Sequence, residues 1–311
     1  MGTALMRHGA RPSRGAAIVL AMLLAALAAA VAATVFADQR RWSEAVHHRR
    51  DQVQAQALAM AGIQWARQVI ANDTRSSTVD HLGEIWAIPL PAMPLENGSI
   101  RGAIVDAQSR LNVNALGATA AAATVDTARI ARLFQARGEN VGLLDAIADW
   151  IDADGDARRN GAEDTYYGSL SVPALSADAP VVRLAELGAV RGVDPVRLAA
   201  LGPFLGALPS APVNVNTAPA EVLAALVEGL DNTSLAELVR SRAGKPFTTI
   251  AEFRARLPAG ATLPSDLGVT VRSDYFEVTV EALQGTTQGR ARALLRRMAG
   301  SLPAIVWQVV E

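Results

Sequence analysis

The chain has 311 residues, a formal net charge of −1 and no cysteine; half of its residues are hydrophobic, but only 5% are aromatic. This length accommodates two domains beyond an anchoring segment. The near-neutral charge argues against a nucleic-acid binder, which needs clustered positive charge, and the missing cysteines exclude disulfide and thiolate chemistry.

An uncharged apolar run extends from Ala16 to Ala37, with Thr34 as its only polar side chain. As a helix, these 22 residues would extend ~33 Å, enough to cross the ~30 Å hydrocarbon core of a membrane. The N-terminal flank carries Arg7, Arg11 and Arg14 but no acid. This asymmetry predicts a cytoplasmic N-terminus and an exported body.

Three fates are open for the apolar segment. It could stay as an uncleaved signal anchor, or a signal peptidase could cut after Ala37, which follows Val35 and Phe36. Alternatively, Gly15 stands between a basic leader and the intact apolar run, which resembles the leader of type IV pilin-like proteins. The resemblance implies that a prepilin peptidase cuts between Gly15 and Ala16 and leaves the helix as an anchor.

The fifth position of such a mature chain is Leu20, where pilin-like subunits usually carry a glutamate. A carboxylate within lipid is costly unless it is paired, and in pilins its partner is taken to be the N-terminal amine of a neighbouring subunit. Because it lacks this acid, the chain resembles the large minor pseudopilin of type II secretion, the general secretion pathway protein K family. The resemblance implies a position at the tip of a fibre, with no subunit above.

Beyond the apolar run, no proline interrupts residues 38–72, and the helix is expected to continue to about Asn72. Apolar residues follow one side of it, at or beside a seven-residue spacing: Val46, Val53, Met60, Ile63 and Ile70. This pattern predicts an amphipathic half-helix whose apolar stripe packs on a globular domain.

Strand patterns occur on both sides of a long helical region. Residues 73–97 are rich in proline and predict a loop, and Asn97-Gly98 is a hairpin turn signal. The predicted strands are Ser99–Val105, Tyr275–Ala282, Arg290–Met298 and Ile305–Val310. Helical patterns fill residues 125–210, and the chain is then extended around residues 213–219. The next helix is expected to have Asn216 or Thr217 as its N-cap and Pro219 in its first turn.

The predicted fold class is therefore α+β: a long N-terminal helix, a small antiparallel sheet and a large inserted helical domain. The K family resemblance implies the same pilin-like architecture. The predicted division is a leader at 1–15, a transmembrane part at 16–37, the first part of the pilin-like domain at 38–120, the helical insertion at 121–262 and C-terminal strands at 263–311. Asp106 and Asn112 are expected to hold loop backbone between the first strand and the helices.

Six carboxylates fall within 16 residues: Asp149, Asp152, Asp154, Asp156, Glu163 and Asp164. Counted from Asp152, acids occupy positions 1, 3, 5 and 12 of an EF-hand-like spacing, but Ala157 stands where that loop has glycine. Because clustered carboxylates repel each other without a cation, we expect a calcium-binding loop that is not an EF-hand. The alternative is a solvated loop paired by Arg158 and Arg159. The K family carries a similar Asp-Trp-x-Asp-x-Asp…Glu-Asp-x-Tyr-Tyr pattern, which implies calcium.

Residues 213–253 resemble helix-hairpin-helix modules of DNA-uptake proteins. In those modules a Gly-hydrophobic-Gly turn offers backbone amides to phosphate. Here the turn contains Glu228, Gly229 and Asp231, so one glycine stands between two acids. We expect a packing role and no nucleic-acid partner.

No catalytic constellation accompanies these features. The histidines are His8, His47, His48 and His81, and none has the spacing of a metal site or lies near a nucleophile motif. The paired carboxylates occur only in the acidic loop, where they are too many and too close for one acid and one base. The sequence predicts that this protein is not an enzyme.

Together the patterns predict a type II secretion minor pseudopilin of the K family, anchored in the inner membrane with a periplasmic body. The resemblance implies other minor pseudopilins as partners in a tip complex that primes the pseudopilus, and a prepilin peptidase as processing enzyme. A membrane-anchored nucleic-acid binder and a minor pilin of a type IV pilus are the competing interpretations.

Overall fold

The computed structural model describes residues 14–118, 121–209 and 211–311. Helix α1, Arg14–Ser76, is continuous over 63 residues, ~95 Å at ~1.5 Å rise per residue. Residues 15–50 are all exposed, and Asp51 is the first residue of the helix that is partly buried. The helix thus continues four residues past the predicted end at Asn72. The first 13 residues of the predicted leader lie outside the described residues.

Five strands form one antiparallel sheet in the order β1-β2-β7-β8-β9. They are β1 (Leu90–Leu95), β2 (Gly98–Asp106), β7 (Tyr275–Gln284), β8 (Thr287–Arg296) and β9 (Ala304–Val310). Strands β2 and β7 are neighbours in the sheet although residues 107–274 separate them in the chain. The predicted α+β class, with a long helix, a small sheet and a helical insertion, is confirmed.

The sheet packs on α1 through small residues. Ala55, Ala59 and Ala66 are at most 1% exposed, together with Ile63 and Ile70 on the same side. A Cβ at Gly62 would lie 2.6 Å from Val280 Cγ1, so a side chain there would push the strand away.

The predicted packing stripe is therefore wrong in part. Ile63 and Ile70 are buried, but Val46, Val53 and Met60 are 48%, 60% and 41% exposed. The close approach of helix and sheet selects alanine and glycine, and the larger apolar residues point elsewhere around the helix.

The helical insertion contains seven α-helices in the described residues, separated by loops and short 3₁₀ turns. The helices are α2 (Ala121–Ala136), α3 (Leu143–Ile151), α4 (Asp164–Gly168), α5 (Pro195–Leu201), α6 (Ala220–Leu226), α7 (Asn232–Gly244) and α8 (Ile250–Ala255). Two short parallel strand pairs tie it together, β3 (Leu111–Asn112) with β4 (Leu205–Gly206) and β5 (Val213–Asn214) with β6 (Val269–Thr270).

Local details differ from the sequence expectations at several points. Strand β1 occupies the predicted loop, because an edge strand with a bulge tolerates Pro91 and Pro94. The stretch 181–187 contributes to a 3₁₀ helix at Leu184–Ala189 and not to an α-helix. Helix α6 has Pro219 at its N-cap in place of Asn216 or Thr217.

Contacts along α1 orient the body. Towards the apolar segment, His48 Nδ1 lies 3.2 Å from Thr287 Oγ1 at the turn between β7 and β8. Near its other end, α1 contributes Asp73, whose Oδ2 accepts a hydrogen bond from Arg297 Nη2 at 2.9 Å, just beyond β8. The chain leaves the sheet for the insertion at this second end, so the insertion lies away from the apolar segment.

A buried polar group joins the insertion to the sheet. Asp106, at the end of β2, accepts hydrogen bonds at Oδ2 from Asn214 Nδ2, Thr217 Oγ1 and Ser273 Oγ at 3.1, 2.5 and 2.6 Å. Its Oδ1 accepts from the backbone N–H of Gln108, which is the turn-holding role expected from the sequence. Burial raises the pKa of Asp106 to about 6, although the hydrogen bonds lower it.

Candidate metal centre

The acidic loop lies between two helices that are packed against each other. Helix α3 ends at Ile151, and α4 begins at Asp164. Eight of the nine α3 residues are buried, and Trp150 contacts Tyr167 of α4 edge to face with ring centroids 5.0 Å apart. This packing fixes the two ends of the loop, one at Asp152 and the other at Glu163.

Three of the six predicted ligands meet at these ends. Asp152, Asp154 and Glu163 each place a carboxylate oxygen within 4.8 Å of the other two. Asp152 and Glu163 are only 7% and 6% exposed, whereas Asp154 faces solvent. A group of this kind can hold a metal ion.

Two oxygens of this group have no hydrogen-bond partner among the described residues: Asp152 Oδ1 and Glu163 Oε1. Buried polar atoms are almost always paired, because leaving one unpaired costs the desolvation free energy. Hard oxygen ligands suit calcium, which takes about six to eight of them, so loop carbonyls and water would complete its shell. The unpaired oxygens therefore fit a cation at this position.

The carboxyl groups also carry the electrostatic cost of the site. Burial, together with the charge of Asp149, raises the pKa of Glu163 to about 7. Burial likewise raises the pKa of Asp152, although Arg158 opposes the shift. A divalent cation would reverse both effects, since it favours the ionised carboxylates.

The other three predicted ligands have different partners. Asp149, which is 0% exposed, accepts from Arg158 Nη1 at 2.6 Å and from the Arg158 backbone N–H at 3.1 Å. Asp164 accepts from the backbone N–H and Oγ of Ser176, which lowers its pKa. Asp156 is exposed, and its backbone N–H donates to Asp154 Oδ1.

The alternative interpretation of the loop is correct for one arginine. Arg158 Nη1 also lies 2.5 Å from Asp152 Oδ2, so it pairs two acids of the loop. Arg159 is exposed and forms no ion pair with the part of the chain that the structure describes. The sequence could not separate the two arginines, because they are adjacent and equally charged.

A second acidic cluster, Asp73, Asp80 and Glu84, was not predicted. Here Arg297 Nη2 contacts Asp80 Oδ1 at 2.6 Å and Asp73 Oδ2 at 2.9 Å, and Trp86 Nε1 donates to Glu84. Burial raises the pKa of Asp73 to about 7, with help from the charges of Glu84 and Asp80. Arg297 lies more than 200 residues from its partners, so no local pattern announces this cluster.

In the helix-hairpin-helix-like region, residues 213–253, an acidic side chain of the protein lies where a phosphate would be expected to bind. Asp231 Oδ1 accepts from the backbone N–H groups of Thr233 and Ser234 at the start of α7, both at 2.9 Å. Gly229 has φ of +73°, and a Cβ there would lie 2.5 Å from the carbonyl oxygen of Gly260. The turn at Gly229 thus packs closely against the backbone of Gly260. The carboxylate of Asp231 accepts hydrogen bonds from the backbone amides to which a phosphate would otherwise bind.

The predicted cleavage residues Gly15 and Ala16 lie at the start of α1 and are exposed. Among the described residues, one helix, α1 from Gly15 onwards, is long and apolar enough to cross a membrane. The cleavage itself stays a prediction.

Family models and known proteins give a consistent comparison. Two models described as "Type II secretion system (T2SS), protein K" match residues 109–210 and 213–271. The type II secretion system protein K of Pseudomonas aeruginosa is 33% identical over 80% of this chain and 82% of its own length. That of Aeromonas hydrophila is 32% identical over 78% of this chain and 81% of its own.

A solved structure shares the fold. A chain in the crystal structure of the GspK-GspI-GspJ complex from enterotoxigenic Escherichia coli superposes with a TM-score of 0.76. The match covers 86% of this chain and 99% of that chain, at 23% sequence identity.

Proposed function

Because the chain belongs to the type II secretion system protein K family and is thus a minor pseudopilin, we propose that it caps the pseudopilus within a tip complex. The position of the insertion carries this proposal. The insertion joins the body at the end of α1 that lies away from the apolar segment, where a subunit stacked above would have to sit.

We infer its partners from the solved relative, which is complexed with GspI and GspJ. The equivalent minor pseudopilins of this protein's own system would bind beside and below it and prime pseudopilus assembly. Prepilin peptidase would cut between Gly15 and Ala16, and α1 would span the inner membrane once with the body in the periplasm. The family is a structural part of a secretion system, and we assign no reaction to this chain.

The inserted domain is proposed at residues 121–262, with the pilin-like part at 38–120 and 263–311. The sheet itself is interrupted between Asp106 and Tyr275, so both boundaries of the proposed insertion fall inside the interrupted section.

Site-specific crosslinking tests the tip position. A photoreactive residue at Val53, 60% exposed on α1, should crosslink the full chain to other minor pseudopilins in membranes. The same residue at Val196, 80% exposed on the insertion, should form no adduct with the major subunit of the shaft. Adducts between Val196 and the major subunit would contradict a position at the tip.

We also propose calcium as the cation held by Asp152, Asp154 and Glu163. The two buried oxygens without partners support it, as does the oxygen-only ligand set. The remaining predicted ligands, Asp149, Asp156 and Asp164, would act around the ion through the loop and not as direct ligands in the arrangement described.

Thermal melting of the full chain in detergent tests the metal. Calcium should raise the melting temperature, because a ligand that binds only the folded state stabilises it. Asp154→Asn should remove most of that rise, whereas Asp156→Asn, which deletes the same charge two residues away, should keep it. Identical melting curves of the wild type in calcium and in chelator would reject the calcium proposal.

A further inference from the structure

The proposed metal centre contains a cation of its own. The guanidinium of Arg158 bridges two acids through Nη1, at 2.6 Å from Asp149 Oδ1 and 2.5 Å from Asp152 Oδ2. Burial disfavours the charged form of Arg158, but these contacts outweigh it and raise its pKa. The arginine is therefore a permanent positive charge inside the acidic loop.

The first of these acids depends on Arg158. Asp149 is completely buried, and its partners among the described residues are the side chain and backbone N–H of Arg158. The loop also packs tightly against the Asp149 carboxylate, since a Cβ at Gly161 would lie 1.7 Å from Asp149 Oδ2. Removing the guanidinium would leave a buried carboxylate without its counter-charge, which is strongly destabilising.

The second acid is shared with the metal site. Arg158 contacts Oδ2 of Asp152, and the unpaired oxygen of the same carboxylate is Oδ1. A calcium ion on Oδ1 would thus lie across one carboxylate from the guanidinium. Two cations this close repel each other, and the repulsion is weakly screened because Asp152 is buried.

We propose that Arg158 is a built-in counter-cation that stabilises the metal-free loop and weakens calcium binding. This inference rests on the proposed calcium site and describes its regulation. The loop stays folded when it is empty, and it fills only at calcium concentrations high enough to overcome the repulsion. Affinity in calcium loops is commonly set by the net charge of the ligands, and Arg158 lowers that negative charge.

Two measurements on the full chain in detergent test the two parts of this proposal. Calorimetric titration with calcium tests the weakening of calcium binding, and thermal melting in chelator tests the stabilisation of the metal-free loop. Arg158→Gln should lower the calcium Kd at least tenfold, lower the melting temperature in chelator and enlarge the calcium-induced rise. Arg159→Gln is the matched control: it removes the same charge from the neighbouring position, and both quantities should stay near the wild-type values.

A double variant separates charge from folding. Asp149→Asn with Arg158→Gln removes the buried acid together with its partner, so it should recover stability in chelator and return the Kd towards the wild-type value, because the net charge of the loop is restored. An unchanged or weaker Kd in Arg158→Gln would overturn the inference. Wild-type protein that binds no calcium would instead overturn the calcium proposal and the affinity half with it, while the melts in chelator would still decide the stabilising half.

Discussion

Two clusters of three carboxylates occur in the described chain, one at the end of α1 and one between α3 and α4. At the end of α1, Arg297 is 3% exposed and donates to both Asp73 and Asp80, and Trp86 donates to Glu84. Between the helices, Arg158 donates to Asp149 and Asp152 but leaves Asp152 Oδ1 and Glu163 Oε1 unpaired.

The difference shows that the number of acids does not identify a metal site. Both clusters bring three carboxylate oxygens within 4.8 Å of one another. In the first, which we call the closed cluster, the side chain of Arg297 provides the positive charge. In the second, which we call the open cluster, Arg158 provides part of the positive charge. Two buried carboxylate oxygens there have no partner among the described residues and could bind a metal ion.

The largest expected effect breaks the closed cluster. Arg297→Met should lower the free energy of unfolding by ~3–5 kcal/mol, because Asp80, 1% exposed, would lose its counter-charge in the interior. Thermal melting of the full chain in detergent measures the loss. Arg296→Met, at an exposed neighbouring position, should change little. Equal effects of the two variants would show that Arg297 is not what satisfies the first cluster.

A smaller loss should follow from disturbing the open cluster without touching a charge. Gly161→Ala should destabilise the metal-free protein by ~1–3 kcal/mol, since its Cβ overlaps Asp149 Oδ2 and would push this carboxylate away from Arg158. Gly155→Ala lies in the same loop with nothing within 4 Å of its added Cβ, and it is the control. A wild-type melting temperature for Gly161→Ala would mean that the loop does not clamp Asp149.

The smallest expected effect is a dependence on pH. Burial and nearby acids raise the pKa of Asp73 from 3.8 to about 7, so the folded chain keeps a proton that the unfolded chain has released. Its contribution to stability is present at low pH and is lost as the pH rises through about 7. Asp73→Asn resembles the protonated acid and lacks this titration, so its melting temperature in chelator should rise relative to that of the wild type as the pH increases from 5 to 8. A constant difference across that range would exclude Asp73 as the titrating group.

The sequence predicted what local patterns determine. Apolar length and alternating residues located α1 and four strands of the sheet, and the spacing of acids located the loop. The packing face of α1 was misjudged, because closeness to the sheet at Gly62 favours alanine over larger side chains. Strand β1 was missed, since its edge position permits the prolines that suggested a loop.

The candidate site was predicted only as a group of six acids. Two side chains help to determine which three of these acids converge. Arg158 donates hydrogen bonds to Asp149 and Asp152, and Ser176 donates a hydrogen bond to Asp164. The cluster around Arg297 depends on residues from both ends of the chain. Such contacts follow from the tertiary fold, and single-sequence patterns do not contain them.

Equilibrium dialysis of the full chain against radioactive calcium tests most directly the claim that unpaired buried oxygens mark the metal site. The wild type should bind calcium saturably. Glu163→Gln should lose this binding, whereas Glu84→Gln, the same substitution in the closed cluster, should retain it. Calcium binding that survives Glu163→Gln and disappears in Glu84→Gln would contradict the account.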